Sequence, residues 1–140
     1  MTLSTDTLTS APDRPVVLVV DDEVSIRLLA SRALQMAGYR VLEASDGTEA
    51  LKFLDGNTPL DLLLTDINMP GLKGDEVARR FRRAQPELKV LYLSGFVDLL
   101  FAERSVLWED EAFLEKPFSI KGLLEAVSLA TSGHPTALLD

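Results

Sequence analysis

The feature that most constrains the fold of this chain is a repeated alternation between two hydrophobic periods. Val16 to Val20 form a continuous apolar run rich in β-branched residues, which indicates a strand buried on both faces. Apolar residues then recur at helical spacing, and Gly38 follows them at a position where helices commonly end. The residues of this apolar stripe are Ile26, Leu29, Ala30, Ala33, Leu34 and Ala37.

The same strand and helix unit returns along the rest of the chain. Further strands are predicted at Tyr39 to Ala44, Leu60 to Thr65, Lys89 to Ser94 and Ala112 to Lys116. Further helices are predicted after the capping residue Asp46, near Val77 to Ala84, from Asp98 to Trp108 and from Ser119 onward. Five such units in alternation predict an α/β fold, a doubly wound parallel sheet of five strands with helices on both faces.

Composition excludes several classes of function. The net charge of −8 over 140 residues argues against a nucleic-acid-binding surface. The chain has no cysteine, which excludes disulfides and thiolate chemistry, and its one histidine, His134, lies in a polar C-terminal stretch. No apolar run has transmembrane length and no signal peptide is present, so we predict a cytoplasmic protein without membrane contact. The arginines of the third helix are predicted to face solvent; they are Arg79, Arg80, Arg82 and Arg83.

Charged and polar residues stand at the ends of four predicted strands. Right-handed crossovers make the strands parallel, so their carboxyl ends meet at one edge of the sheet, where open α/β folds bind ligands. The residues at these strand ends are Asp21, Asp22, Asp66, Ser94 and Lys116. We therefore expect three carboxylates, a hydroxyl and an ammonium group to converge at this edge.

This combination of groups favours phosphoryl chemistry. Clustered carboxylates repel one another unless a cation joins them, and oxygen ligands suit a hard ion such as Mg²⁺. A metal ion and Lys116 would together neutralise a phosphoryl group, and Ser94 would donate a hydrogen bond to it. Asp66 would then be the nucleophile that forms an aspartyl phosphate.

Four segments of the sequence resemble the signature segments of the receiver domain of bacterial two-component response regulators. They are VVLVVDDE, LLLTDINMPG, VLYLSG and FLEKPF, and the similarity extends from about Val16 to Ala130. The resemblance implies a flavodoxin-like fold with strand order 2-1-3-4-5. It also implies a receiver domain at residues 15–131. The N-terminal residues 1–14 are rich in Ser, Thr and Pro and are predicted to be a disordered leader, and residues 132–140 are predicted to be a flexible tail.

The resemblance also implies a metal site and a phosphoacceptor. Asp66 takes the position of the phosphoacceptor, and Asp21 and Asp22 take the positions of the acidic pair. These three carboxylates would bind Mg²⁺, with Mn²⁺ as an alternative, together with the backbone carbonyl of Asn68.

Other positions are implied to contact the phosphoryl group or to respond to it. Lys116 and Ser94 would contact the phosphoryl oxygens, and Ser94 and Phe113 would form the conformational switch. A cis peptide bond is expected between Lys116 and Pro117. The sequence departs from the commoner family pattern by having serine rather than threonine at 94 and phenylalanine rather than tyrosine at 113.

The function implied by this resemblance is signalling rather than metabolic catalysis. The phosphoryl donor would be a sensor histidine kinase or a histidine phosphotransfer protein. An output partner or a second copy would bind the face formed by the fourth predicted helix, the fifth strand and the fifth predicted helix. The chain would be a stand-alone receiver or part of a hybrid kinase.

Two other functions remain open from the sequence. One is a magnesium-dependent phosphatase of the haloacid dehalogenase type, which also uses an aspartyl nucleophile. In that family an Asp-x-Asp motif follows the first strand. Here Asp66 follows the third predicted strand, and Asn68 stands two residues later, where the motif would have its second aspartate. The other is a receiver-like scaffold that works without phosphorylation, which the presence of Asp66, Ser94 and Lys116 argues against.

Overall fold

Nine elements of secondary structure are present in the computed structural model, which describes residues 14–95 and 111–132. The strands are β1 (Val16–Val20), β2 (Arg40–Ala44), β3 (Leu62–Asp66), β4 (Lys89–Ser94) and β5 (Glu111–Glu115). The helices are α1 (Val24–Met36), α2 (Gly47–Asp55), α3 (Gly74–Ala84) and α4 (Ile120–Ser132). The strands form one parallel sheet in the order β2-β1-β3-β4-β5, which confirms the predicted fold and strand order.

The central strands are buried on both faces because helices cover both sides of the sheet. Successive side chains of a strand point to opposite faces, so each strand supplies both halves of the core. Val17 and Val19 of β1 pack with residues of α1 and α4, whereas Leu18 and Val20 pack with residues of α2 and α3. This two-sided burial explains the continuous apolar run that predicted β1.

Most predicted element boundaries lie within a few residues of those observed. Asp46 caps α2 as predicted, since its Oδ1 accepts a hydrogen bond of 2.8 Å from the backbone N–H of Glu49. The third strand begins at Leu62 instead of Leu60. The backbone N–H of Leu60 donates to the side-chain oxygen of Gln85 at 2.9 Å, which places Leu60 outside the sheet ladder.

Predictions about side-chain burial were wrong in two helices. Leu29 and Ala37 were placed in the apolar stripe of α1, but Leu29 is 40% exposed and Ala37 is also exposed, while Ser31 is buried. Arg82 was placed on the solvated face of α3, but its side chain is only 18% exposed, and its Nε lies 3.8 Å from Oε2 of Glu111, whose side chain is 2% exposed. That carboxylate belongs to β5 and attracts the guanidinium inward.

Several predictions fall outside the described part of the chain. They are the helix from Asp98 to Trp108, the leader except for Arg14, and the tail beyond Ser132. Among the helices that are described, none is both long enough and apolar enough to cross a membrane.

Candidate functional site

The polar residues predicted at the strand ends come together at one edge of the sheet. Asp66 is the last residue of β3 and Ser94 the last of β4, while Asp21 directly follows β1 and Lys116 directly follows β5. The backbone N–H of Lys116 donates to the carbonyl oxygen of Ser94 at 2.8 Å, which holds the ends of β4 and β5 side by side. Parallel pairing of the strands therefore brings residues distant in sequence into one site.

Three carboxylates form an acidic cluster at this edge. Asp21 and Asp66 are buried, with 0% and 5% of their surface exposed, whereas Asp22 is exposed. Each of the three offers a carboxylate oxygen, and these oxygens all lie within 4.8 Å of one another. Like charges at this range repel strongly in a partly buried site, so the cluster requires a compensating cation.

Lys116 supplies one positive charge to the cluster. Its Nζ lies 3.0 Å from Oδ2 of Asp21, 3.4 Å from Oδ2 of Asp66 and 3.2 Å from Oε1 of Glu23. The Lys116 side chain is only 16% exposed. Glu23 was not predicted to be a site residue, although it directly follows the acidic pair. The ammonium group therefore joins the buried carboxylates to an exposed one.

The environment of the site changes the pKa values of its carboxyl groups. Burial raises the pKa of Asp66 to about 6, and the negative charge of Asp21 adds to this effect, while Lys116 opposes it. Burial likewise raises the pKa of Asp21, although a backbone hydrogen bond from Glu23 and the ammonium of Lys116 act against it. Asp66 is therefore mostly ionised at pH 7 but gains a proton readily below that pH.

The pKa of Lys116 is raised, which keeps its side chain charged. Burial alone would lower the pKa of this ammonium, but its interactions with Asp21 and Asp66 outweigh burial and raise the pKa above its ordinary value. Lys116 is thus a permanent cation of the site at physiological pH.

Ser94 carries a hydroxyl group that has no hydrogen-bond partner among the residues that the structure describes. Its side chain is fully buried, and its Oγ makes no hydrogen bond with any residue that the structure describes. Buried hydroxyl groups nearly always have a partner, so an unpaired one at a site is a group available to a ligand. A phosphoryl oxygen is a strong hydrogen-bond acceptor, and the Ser94 hydroxyl could donate to it.

Phe113 lies on β5, the strand next to the one that carries Ser94. It is paired with Tyr92 in the register of β4 and β5, and the centroids of the two rings are 5.4 Å apart. Tyr92 and Ser94 are two residues apart on β4 and so point to the same face of the sheet. The Lys116–Pro117 peptide bond, which follows β5, is cis, as the resemblance implies.

The loop between β3 and α3 forms the rim of the site. Asn68 is exposed there, and its Oδ1 accepts a hydrogen bond of 2.8 Å from Nζ of Lys73. Gly74 is buried at the start of α3, and its N–H donates to the carbonyl oxygen of Ile67 at 2.9 Å. Neither Lys73 nor Gly74 was predicted from the sequence. The contacts of Lys73 are set by the loop conformation, and the only sequence signal for Gly74 was its place beside the start of a helix.

The arrangement fits a hard divalent cation. Its donor atoms are carboxylate oxygens, two of the three carboxylates are buried, and burial raises the pKa of both. Mg²⁺ prefers such ligands and retains several waters, which suits a cluster whose third carboxylate is exposed. Asp21, Asp22 and Asp66 are the residues that would hold the ion.

Comparison with known proteins identifies the family. The model of the response regulator receiver domain matches residues 17–128. The chain is 37% identical over 112 residues to the sensor kinase CckA of Brucella abortus, which covers 79% of this chain but only 12% of the kinase. It is 34% identical over 111 residues to the response regulator receiver protein CpdR of Brucella abortus, covering 79% of this chain and 92% of that protein.

Solved structures agree with the sequence comparison. A response regulator receiver protein from Sinorhizobium medicae superposes with a TM-score of 0.78 at 32% identity, over 87% of this chain and 98% of that one. The receiver domain of the hybrid histidine kinase CckA superposes with a TM-score of 0.70 at 33% identity, over 83% of this chain and 98% of that one. These matches do not favour the phosphatase alternative. The chain belongs to the response regulator receiver domain family of two-component signalling, which is not a family of catalytic enzymes.

Proposed function

We propose that this receiver domain, at residues 15–131, accepts a phosphoryl group on Asp66 from a histidine kinase or a histidine phosphotransfer protein. The observation that carries the proposal is that the Asp66 carboxylate belongs to the acidic cluster and lies 3.4 Å from the ammonium of Lys116. A carboxylate that is ionised at pH 7, next to a fixed cation and a free hydroxyl, is suited to attack phosphorus. The relatives of this chain include both a sensor kinase and a response regulator receiver protein.

The chemistry is a transfer between two nucleophiles. One carboxylate oxygen of Asp66 forms a bond to phosphorus while the bond between phosphorus and the donor's imidazole nitrogen breaks. The bonding electron pair leaves with the imidazole. Lys116 and the hydroxyl of Ser94 would stabilise the charge on the phosphoryl oxygens. The domain promotes only its own phosphorylation and dephosphorylation.

A metal ion completes the proposed site. Asp21, Asp22 and Asp66 would bind Mg²⁺, or Mn²⁺, with the backbone carbonyl of Asn68 as a further ligand. When bound, the ion supplies positive charge that offsets the repulsion between an incoming phosphoryl group and the carboxylates. Asp21 and Asp22 would hold the ion beside the carboxylate of Asp66.

We further propose that Ser94 and Phe113 transmit the phosphorylation state. A phosphoryl group on Asp66 would accept the hydrogen bond of the unpaired Ser94 hydroxyl and draw it toward the site. The space left beside β4 would admit the ring of Phe113, which carries no polar group that needs a partner. The face formed by the predicted helix Asp98 to Trp108, β5 and α4 would then bind an output protein or a second copy, and no nucleic acid.

Phosphorylation with a small donor tests this proposal. The wild-type protein, incubated with acetyl phosphate and Mg²⁺, is expected to gain the mass of one phosphoryl group. Asp66→Asn keeps the size of the side chain but removes the nucleophilic oxygen, so it is expected to gain none. Asp55→Asn, which changes an exposed carboxylate at the end of α2, is the matched control and should be labelled like the wild type.

The outcomes separate the proposed function from its alternatives. Stoichiometric labelling of Asp66→Asn would show that another residue is the phosphoacceptor. A wild-type protein that is never labelled would instead support a scaffold that works without phosphorylation. Continuous release of phosphate from phosphomonoesters would support the phosphatase.

A further inference from the structure

Lys73 stands where a lysine is unfavourable for local structure. It is the N-cap residue of α3, and its side chain makes no capping hydrogen bond. Serine, threonine, aspartate and asparagine are preferred at this position because their side chains accept hydrogen bonds from the first turn. A positive charge at the amino end of a helix also opposes the helix dipole. Stabilisation of α3 therefore does not explain why a lysine occupies position 73.

The contacts of Lys73 lie toward the site instead. Its Nζ donates one hydrogen bond of 2.8 Å to Oδ1 of Asn68 and another of 3.2 Å to the carbonyl oxygen of Met69. Met69 is buried, so this second acceptor is fixed by the core. An ammonium group only donates hydrogen bonds, which fixes the orientation of the Asn68 amide with its oxygen toward Lys73.

The orientation of Asn68 matters for the loss of a phosphoryl group from Asp66. In hydrolysis, a water oxygen forms a bond to phosphorus, the bond from phosphorus to the Asp66 carboxylate oxygen breaks, and the proton of the water passes to phosphate or solvent. A hydrogen-bond acceptor near the water would hold it in position for attack on phosphorus. Asn68 stands two residues after Asp66 at the exposed rim, and its amide oxygen is such an acceptor.

We propose that Lys73 is a positioning residue that occupies the amide oxygen of Asn68 and thereby lengthens the lifetime of phosphorylated Asp66. With Lys73 in place, this oxygen is committed to an ammonium group and is a poorer acceptor for water. Without Lys73, the amide is free to turn and to accept a hydrogen bond from the attacking water. The inference rests on the proposed role of Asp66 as phosphoacceptor.

Three substitutions of Lys73 separate its ammonium group from its place in the helix. Lys73→Met removes the charge at similar length, and Lys73→Asn removes it while restoring a preferred N-cap. Lys73→Arg keeps donors that reach Asn68. Each protein is phosphorylated with acetyl phosphate, the donor is removed, and the decay of the phosphoprotein is followed by intact mass in Mg²⁺ buffer. Lys52→Met, at an exposed position on α2, is the matched control.

We expect Lys73→Met and Lys73→Asn to lose phosphate faster, by a factor on the order of five, which corresponds to one hydrogen bond of ordinary strength. Lys73→Arg and Lys52→Met are expected to decay at the wild-type rate. In an Asn68→Ala background, Lys73→Met should have no further effect, because the residue through which it acts is gone. In unphosphorylated protein without metal, Lys73→Met should shift the side-chain amide resonances of Asn68.

Two results would overturn the inference without affecting the proposed function. Unchanged decay in Lys73→Met would show that the contact with Asn68 has no role in hydrolysis. Equal acceleration with and without Asn68 would show that Lys73 acts by its charge alone. Failure of the wild-type protein to be phosphorylated at all would instead contradict the proposed function.

Discussion

Gly74 lies so close to Asp66 that a β-carbon at position 74 would be 2.1 Å from the backbone oxygen of Asp66. The same β-carbon would be 3.0 Å from the α-carbon of Ile67. These neighbours are backbone atoms, which yield much less readily than the end of a flexible side chain. Glycine thus allows α3 to begin directly against the end of β3, and this contact sets the position of the loop around the site.

The first prediction concerns Gly74→Ala. The added methyl group must displace the backbone of Asp66 or of α3, so we expect the free energy of unfolding to fall by about 3 kcal/mol or more. Urea denaturation monitored by circular dichroism measures this change. Gly56→Ala is the matched control, because its β-carbon would meet its nearest neighbour, the Lys52 carbonyl oxygen, at 3.6 Å. Equal losses in the two variants would contradict the steric explanation.

The second prediction concerns the pH dependence of stability without metal. Because the pKa of Asp66 is raised to about 6 in the folded protein, the folded state binds this proton more tightly than the unfolded chain does. Stability from this group is therefore highest at low pH and is lost as the pH rises from about 4 to about 6. We expect a loss on the order of 2 kcal/mol.

The comparison of Asp66→Asn with the wild type isolates this contribution. Both free energies of unfolding are measured in EDTA from pH 4 to pH 7. As the pH rises, the free energy of unfolding of Asp66→Asn should increase relative to that of the wild type. Titrating groups outside the acidic cluster and Lys116 affect both proteins alike and cancel. Parallel stability curves would show that Asp66 does not titrate in this range.

The third prediction concerns the metal. A cation that binds only the folded protein stabilises it, by about 2.7 kcal/mol at a concentration of one hundred times Kd. Asp22→Ala removes an exposed ligand, so we expect weaker stabilisation by Mg²⁺ and, because repulsion within the cluster is relieved, equal or higher stability in EDTA. Thermal unfolding across a Mg²⁺ titration measures both effects. An Asp22→Ala titration that matches the Asp55→Asn control would remove Asp22 from the site.

The fold and the location of the site could be predicted from the sequence because both follow from local patterns. Alternating hydrophobic periods specify the strands and helices, and parallel strands bring their carboxyl ends to one edge. Asp21, Asp66, Ser94 and Lys116 could therefore be grouped before any distance between them was available. Their proposed roles rest on chemistry and on family resemblance.

What could not be predicted depends on contacts between elements. Helical spacing alone does not show which apolar residues face the sheet, so Leu29 was assigned to the core, and the buried Ser31 was missed because it is polar. Arg82 was expected in solvent because its partner, Glu111, is on a strand distant in sequence. The hydrogen bonds of Lys73 depend on the loop conformation, which no hydrophobic period encodes.

The last prediction compares two buried serines. Ser94 and Ser31 are both buried, and the Oγ of neither makes a hydrogen bond within the described structure. Ser94 lies at the end of β4 beside Lys116, whereas Ser31 is in the middle of α1. Because a buried hydroxyl without a partner has already lost its hydrogen bonds to water, replacing either serine with alanine removes that cost.

We therefore expect Ser94→Ala and Ser31→Ala to leave the free energy of unfolding unchanged or to raise it by up to about 1 kcal/mol. Their responses to phosphorylation should differ, since the hydroxyl of Ser94 is the proposed donor to the phosphoryl group. Amide chemical shifts of β5, including Phe113, should change on phosphorylation of Ser31→Ala as in the wild type but should change little in Ser94→Ala. An undiminished response in Ser94→Ala would mean that the signal reaches β5 without this hydroxyl.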